Sequence, residues 1–240
     1  MQTFFHKIRL LLLVIPLLSG CSAHSFSDLF SHYSQQMNDV KKAQQQGDFQ
    51  QAISLIPTRN SNDGSYSLGL LEKARLEYLA KNNKQSRQDF AQIYKRIQQN
   101  QQKAKIEVSR GFGNIAAVIS NDNAVRYDIP LYEQGMLHSY QALNYLAQQD
   151  LSGALVEVRR ANQVQDTALK ANAESLQSGK SLPQQYPSMD RAIGKVKNGF
   201  QNAYTFYLSA LLYEAVNKQN DAYIDYKKAL EIYPDNHYLQ

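Results

Sequence analysis

An all-α fold of stacked helical hairpins is what the sequence predicts, on three observations. Two long segments, 135–162 and 203–236, each read as a helix, a tight polar turn and a second helix. Small side chains recur where the two helices of a hairpin would cross, at intervals set by one repeat length. Glycine and proline gather in the intervening stretches, 109–130 and 174–191, where the pattern breaks.

The first element is not part of that fold. Lys7 and Arg9 precede an apolar run, Leu10–Leu18, closed by Ser19 and Gly20. The run is much shorter than the roughly 20 apolar residues of a membrane-spanning helix, so residues 1–20 read as a secretory signal. Leu18-Ser19-Gly20-Cys21 resembles the bacterial lipobox, in which the thiol is acylated and the chain is cleaved just before it. Cys21 is the sole cysteine and has no partner for an internal disulfide. Each buried methylene contributes about 0.8 kcal/mol, and one acyl chain alone holds weakly. The resemblance implies three chains, and so a permanent anchor in membrane lipid through Cys21. Ser22 stands where aspartate would favour inner-membrane retention in enteric-type sorting. The expectation is therefore an outer-membrane lipoprotein facing the periplasm, with residues 21–28 as the lipidated tether. Removing the signal leaves 220 residues (240 − 20) and takes Lys7 and Arg9 with it, so the net charge falls from +5 to +3. That charge is too small and scattered to suggest nucleic acid.

Residues 29–105 are expected to hold N-terminal hairpins. Segment 40–57 carries the turn Gly47-Asp48-Phe49 followed by Ala52, Ile56 and Pro57; segment 68–97 offers Ala74, Ser86, Phe90 and Ile93 in similar roles. An irregular segment is expected over 106–130, with Asp128-Ile129-Pro130 as an extended entry to the next helix. Residues 131–240 hold the two clearest hairpins, with a loop at 177–190. In the first, Ala142 and Ala154 are the crossing positions, with His138, Tyr145, Val158 and Ala161 around them. In the second, Ala210 and Ala222 cross, Phe206, Tyr213 and Tyr226 fill, and Pro234 stops the helix. Both hairpins resemble the tetratricopeptide repeat (TPR), so the expected architecture is a TPR-like superhelix. The small residues Ala52, Ser86, Ala154 and Ala222 lie 34, 68 and 68 residues apart (86 − 52, 154 − 86, 222 − 154), multiples of the 34-residue repeat. Hairpins of this kind bury their apolar faces only against neighbours. The flank of the last one is expected to be covered by a partner, or else the chain is a shortened version of a longer protein.

The block Tyr132–Asn162 contains the pair Tyr132-Glu133, the core "ALNYL" (Ala142–Leu146) and the core "EVRRA" (Glu157–Ala161). It resembles the signature stretch of a largely uncharacterised family of bacterial TPR-like outer-membrane lipoproteins. Some members are encoded beside an outer-membrane lipoprotein activator of a peptidoglycan synthase, so the resemblance implies envelope biology. Members are commonly longer at the C-terminus.

Candidate chemistry is sparse. Glu133 and His138 are five apart, no H-E-x-x-H occurs, and His24, His32 and His237 are scattered, so no metal site is expected. "RGFGN" at 110–114 lacks the third glycine and preceding strand of a dinucleotide loop. Ser139 and His138 point to different helix faces and form no triad. No catalytic residue and no cofactor is expected. Glu157 and Arg160, three apart, are expected to pair on the surface, with Arg159 pointing elsewhere. The functional expectation is a concave groove in which Tyr132, Glu133, Tyr140, Asn144, Arg159 and Arg160 hold an envelope protein or peptide. The alternatives are a cell-wall enzyme using Glu133 or Glu157 as acid or base, which lacks a second placed carboxylate, and a structural subunit of an outer-membrane assembly complex.

Overall fold

A computed structural model describes residues 33–57, 59–109, 127–179 and 201–237, without the side chains of 104–109 and 171–179. The signal, Cys21 and the tether 21–28 lie outside the described residues, as do 110–126 and 180–200. Two units are distinguished, 1–36 and 37–240; of the first, only a helical turn at 33–36 is described.

The second unit is all-α. Its described residues form eight helices: α1 (Asn38–Gln45), α2 (Phe49–Leu55), α3 (Tyr66–Leu79), α4 (Asn83–Ser109), α5 (Leu131–Ala147), α6 (Leu151–Gly179), α7 (Ala203–Ala215) and α8 (Gln219–Ile232). They pack as sequential antiparallel pairs, α1 with α2 through α7 with α8, and each pair packs on the next through α2–α3, α4–α5 and α6–α7. α4 runs through Ser109, into the segment expected to be irregular, and α6 reaches Gly179, past the expected start of the 177–190 loop. Residues 127–130 carry no regular structure, and Pro130, extended at ψ 156°, caps α5.

Four turns of one design set the hairpins. In each, a residue with positive φ ends the first helix: Gly47 (76°), Lys81 (63°), Gln149 (60°) and Asn217 (58°). These positions are 34, 68 and 68 apart (81 − 47, 149 − 81, 217 − 149). The next amide reaches back to the helix, Asp48 N to Ala43 O, Asn82 N to Glu77 O, Asp150 N to Tyr145 O and Lys218 N to Tyr213 O, at 2.8–3.0 Å. With the shorter bond from the positive-φ residue itself, this is a Schellman closure that satisfies the orphan carbonyls at the helix end. Two of the second helices start on an aspartate cap, Asp48 accepting from Gln51 N (2.9 Å) and Asp150 from Gly153 N (2.7 Å).

The crossing positions are as small as the sequence requires. Ala52, Ala74, Ala142, Ala154 and Ala210 and also Ser86 have no exposed surface, and Ala222 has 4%. Ala142 and Ala154 share a core with Val158, Leu208 and Leu212, which joins α5, α6 and α7. A second core, around Leu70, Phe90, Ile93, Ile97, Ile129 and Leu137, joins α3, α4 and α5. Burying a side chain such as Phe90 contributes about 1.5–3 kcal/mol. Gly153 is required by packing: a Cβ there would fall 2.3 Å from the Tyr145 ring, over which the Arg87 guanidinium also sits, 5.0 Å from the centroid.

Candidate functional site

α5 contributes most of the expected site, and its period spreads those residues over different surroundings. In its first turn Tyr132 is exposed, and Glu133 Oε1 accepts from the Tyr127 hydroxyl (2.6 Å) and from that of Tyr132 (3.3 Å). Glu133 Oε2 is buried without a protein partner. Burial and the adjacent Glu133 charge both raise the Tyr132 phenol pKa. Tyr127 also lines a cleft of ≈ 420 Å³ with Arg96, Asn100, Asp128, Ile129 and Gln134.

Two turns on, Tyr140 is half-buried, stacked on Phe90 (5.7 Å between centroids, 12°) and edge-on to Tyr78 (5.4 Å, 67°). Tyr204, on α7, is 46% exposed, and its phenol pKa is raised by burial and by the fields of the Tyr78 and Tyr140 phenols. The first helices of three successive hairpins thus bring one tyrosine each to a common region. Tyr78 and Tyr204 were not among the expected site residues, and the repeat register does not mark them, because the offset of 68 carries Tyr78 to Leu146 and Tyr204 back to Met136.

Asn144 corrects the expected groove. It is fully buried: its Nδ2 donates to Ser86 Oγ (2.8 Å), which donates to the Ala74 carbonyl (2.8 Å). Its amide ties α5 to α4 and α3, and no partner in solvent can touch it.

The expected surface pair on α6 is corrected too. Glu157 is 4% exposed, because α5 lies antiparallel beside it and supplies His138, itself 2% exposed. His138 Nδ1 meets Glu157 Oε2 at 2.7 Å, and Arg160 Nη1 donates to Oε1 at 2.6 Å. Tyr94 of α4 completes the cluster, edge-on to His138 (4.8 Å) and under the Arg160 guanidinium (4.9 Å). Both Glu157 oxygens are occupied, so the cluster is a buried polar bridge among α4, α5 and α6. Arg159 is exposed and points elsewhere, as expected; its charge partly offsets the burial that raises the Tyr213 phenol pKa.

Two more polar clusters mark the stack. On α3 and α4, Lys73 Nζ reaches Asp89 Oδ2 (2.6 Å) and Glu77 Oε1 (3.1 Å). Burial raises the Glu77 carboxyl pKa; it also opposes the Lys73 charge, but bonds to Asp89 and Glu77 outweigh it and raise the Lys73 pKa. Between α6, α7 and α8, Asp225 Oδ2 accepts from Ser209 Oγ (2.6 Å) and Asn162 Nδ2 (2.8 Å), while burial raises its pKa. Ser139 spends its hydroxyl on the Gly135 carbonyl and Thr205, not on His138. Among the described residues no group of three or more His, Cys, Asp or Glu is placed to hold a metal ion, and no helix is long and apolar enough to cross a membrane. No protein-family model and no curated protein matches the chain.

Proposed function

We propose that the chain is a non-catalytic adaptor on a TPR-like superhelix, tethered to the outer membrane by acylated Cys21, that binds an envelope protein or peptide along its first helices. The observation that carries this reading is the edge-on Tyr78–Tyr140 pair across α3 and α5, with the 46% exposed Tyr204 on the adjoining α7. Recurrent turns and crossing alanines support the repeat architecture, since stacked hairpins present side chains from many helices on a rigid frame. Tyrosine suits such a surface because it offers a large stacking area and a hydroxyl at low entropy cost. Tyr132 and Arg159 stay in the reading as accessible flanks, and peptidoglycan synthesis is the setting that the family resemblance implies.

The test is photo-crosslinking in cells from Tyr140, Tyr204 and Arg159, with Leu169, an exposed residue on α6, as the control position. One envelope protein trapped from the first three and not from Leu169 supports the adaptor; equal labelling from all four counts against it. The enzyme reading is tested by incubating the protein with purified peptidoglycan and comparing Glu133→Gln. Fragments released by the parent and lost in the variant would replace the adaptor reading.

A further inference from the structure

The cleft of ≈ 420 Å³ beside the start of α5 takes no part in the adaptor reading. Its walls include Arg96, Ile97 and Asn100 on α4 and Tyr127, Asp128 and Ile129 ahead of α5. Ile97 and Ile129 are buried and belong to the core that joins α3, α4 and α5, and the Ile129 carbonyl is braced by Gln134 Nε2 at 2.7 Å. The apolar part of the wall is therefore fixed. Arg96 donates from Nη1 to the Ser61 carbonyl (3.0 Å), and its guanidinium lies over the Tyr66 ring, 4.9 Å from the centroid. Those two contacts hold the head group, while its Nε and Nη2 have no acceptor among the described residues. Nε and Nη2 share one edge of the guanidinium, the fork that meets a carboxylate with two parallel bonds. Asp128 is exposed, with no hydrogen bond or ion pair among the described residues. Tyr127 spends its proton on Glu133 Oε1 (2.6 Å), so its oxygen is left to accept. A cation and an anion thus line one cleft without pairing with each other.

We propose that this cleft binds a short unblocked peptide, with the peptide's carboxylate on Arg96 and its ammonium on Asp128. Charge selects this ligand. A purely anionic ligand would cover Asp128 without a partner, and a purely cationic one would do the same to Arg96. Covering a charge without pairing it costs free energy, and a neutral apolar ligand would cover both. A molecule with both signs satisfies each group. Asn100 carries an amide that can donate to and accept from a peptide unit between the two ends, and Ile97 and Ile129 suit small apolar side chains. The site shares none of the tyrosines that carry the adaptor reading, so either can fail alone.

The experiment is isothermal titration calorimetry of the full chain in detergent with three peptides: L-alanyl-L-alanine, its N-acetyl derivative and its C-terminal amide. The expected result is saturable binding of the unblocked peptide in the millimolar range or tighter, and binding about tenfold weaker or more for each blocked one. Asp128→Asn weakens the unblocked peptide about tenfold or more and removes its lead over the N-acetyl form, while Arg96→Gln removes its lead over the amide. Lys95→Gln, exposed on α4 outside the cleft, leaves binding unchanged. Asp128 has no partner to lose, so its variant keeps the fold, as circular dichroism checks, and the blocked peptides test the unaltered protein. Absence of saturable binding overturns the proposal, as do equal affinities for the three peptides or binding indifferent to Asp128→Asn. An N-acetyl peptide that binds as tightly as the unblocked one overturns it in favour of a simple anion site at Arg96.

Discussion

Glu157 shows how one carboxylate can be read two ways. Within its own helix the visible partner is Arg160, three residues on, which suggests a solvated pair of small worth. The larger fact is His138, 19 residues away on the antiparallel helix, and no local spacing reveals it. Glu157→Ala is expected to destabilise the protein by about 3 kcal/mol or more in urea denaturation, because a buried imidazole and a guanidinium lose their common acceptor. Arg160→Ala costs less, since its side chain is 39% exposed. Asp225 makes a pH-dependent prediction. Burial holds its folded pKa above the ordinary 3.8, so the native state keeps this proton when the unfolded chain has released it. The stabilisation is fully present below the unfolded pKa and is lost as pH rises through the folded one. Asp225→Asn is expected to flatten that decline, because an amide oxygen still accepts from Ser209 and Asn162; denaturation at a series of pH values above about 4 checks it. Asn144 was misplaced for a related reason. Asparagine is usually exposed, and only the neighbouring hairpin's Ser86 reveals that this amide is interior.

The helical pairs were largely readable. Crossing residues are chosen for size, and size is visible in a one-dimensional string: Ala52, Ser86, Ala154 and Ala222 recur at the repeat interval and are all buried. Helix ends were harder, since α4 and α6 outrun the expected limits, and propensity alone gives no firm stop where no Schellman turn follows. The turns themselves carry a prediction. Lys81 and Gln149 hold left-handed backbone at a cost that glycine does not bear, and Asn217 bears it more easily. Lys81→Gly and Gln149→Gly are each expected to stabilise the protein by up to about 1 kcal/mol, and Asn217→Gly by less, measured as shifts in the denaturation midpoint. A loss of stability at Gln149→Gly would mean that its side chain contributes more than its backbone costs.

Across the stack, stability depends on neighbours. The α5–α6 pair is covered on one side by α4 and on the other by α7, while α1–α2 consists of helices of 8 and 7 residues that, among the described helices, lean on α3 alone. Amide exchange is expected to be slowest in α5 and the first half of α6 and fastest in α1 and α2, as mass spectrometry of deuterated peptides would register. Uniform protection along the chain would indicate a single cooperative block instead of a graded array.

Grease alone tolerates sliding, and helices joined only by leucines could settle one notch out of place at little cost. Here Asn144 must find Ser86, and Asn162 must find Ser209 and Asp225, or strand their amides in a dry interior. These two joints therefore behave as keyed fittings with one seated position, and the register of one hairpin on the next is inherited from those keys.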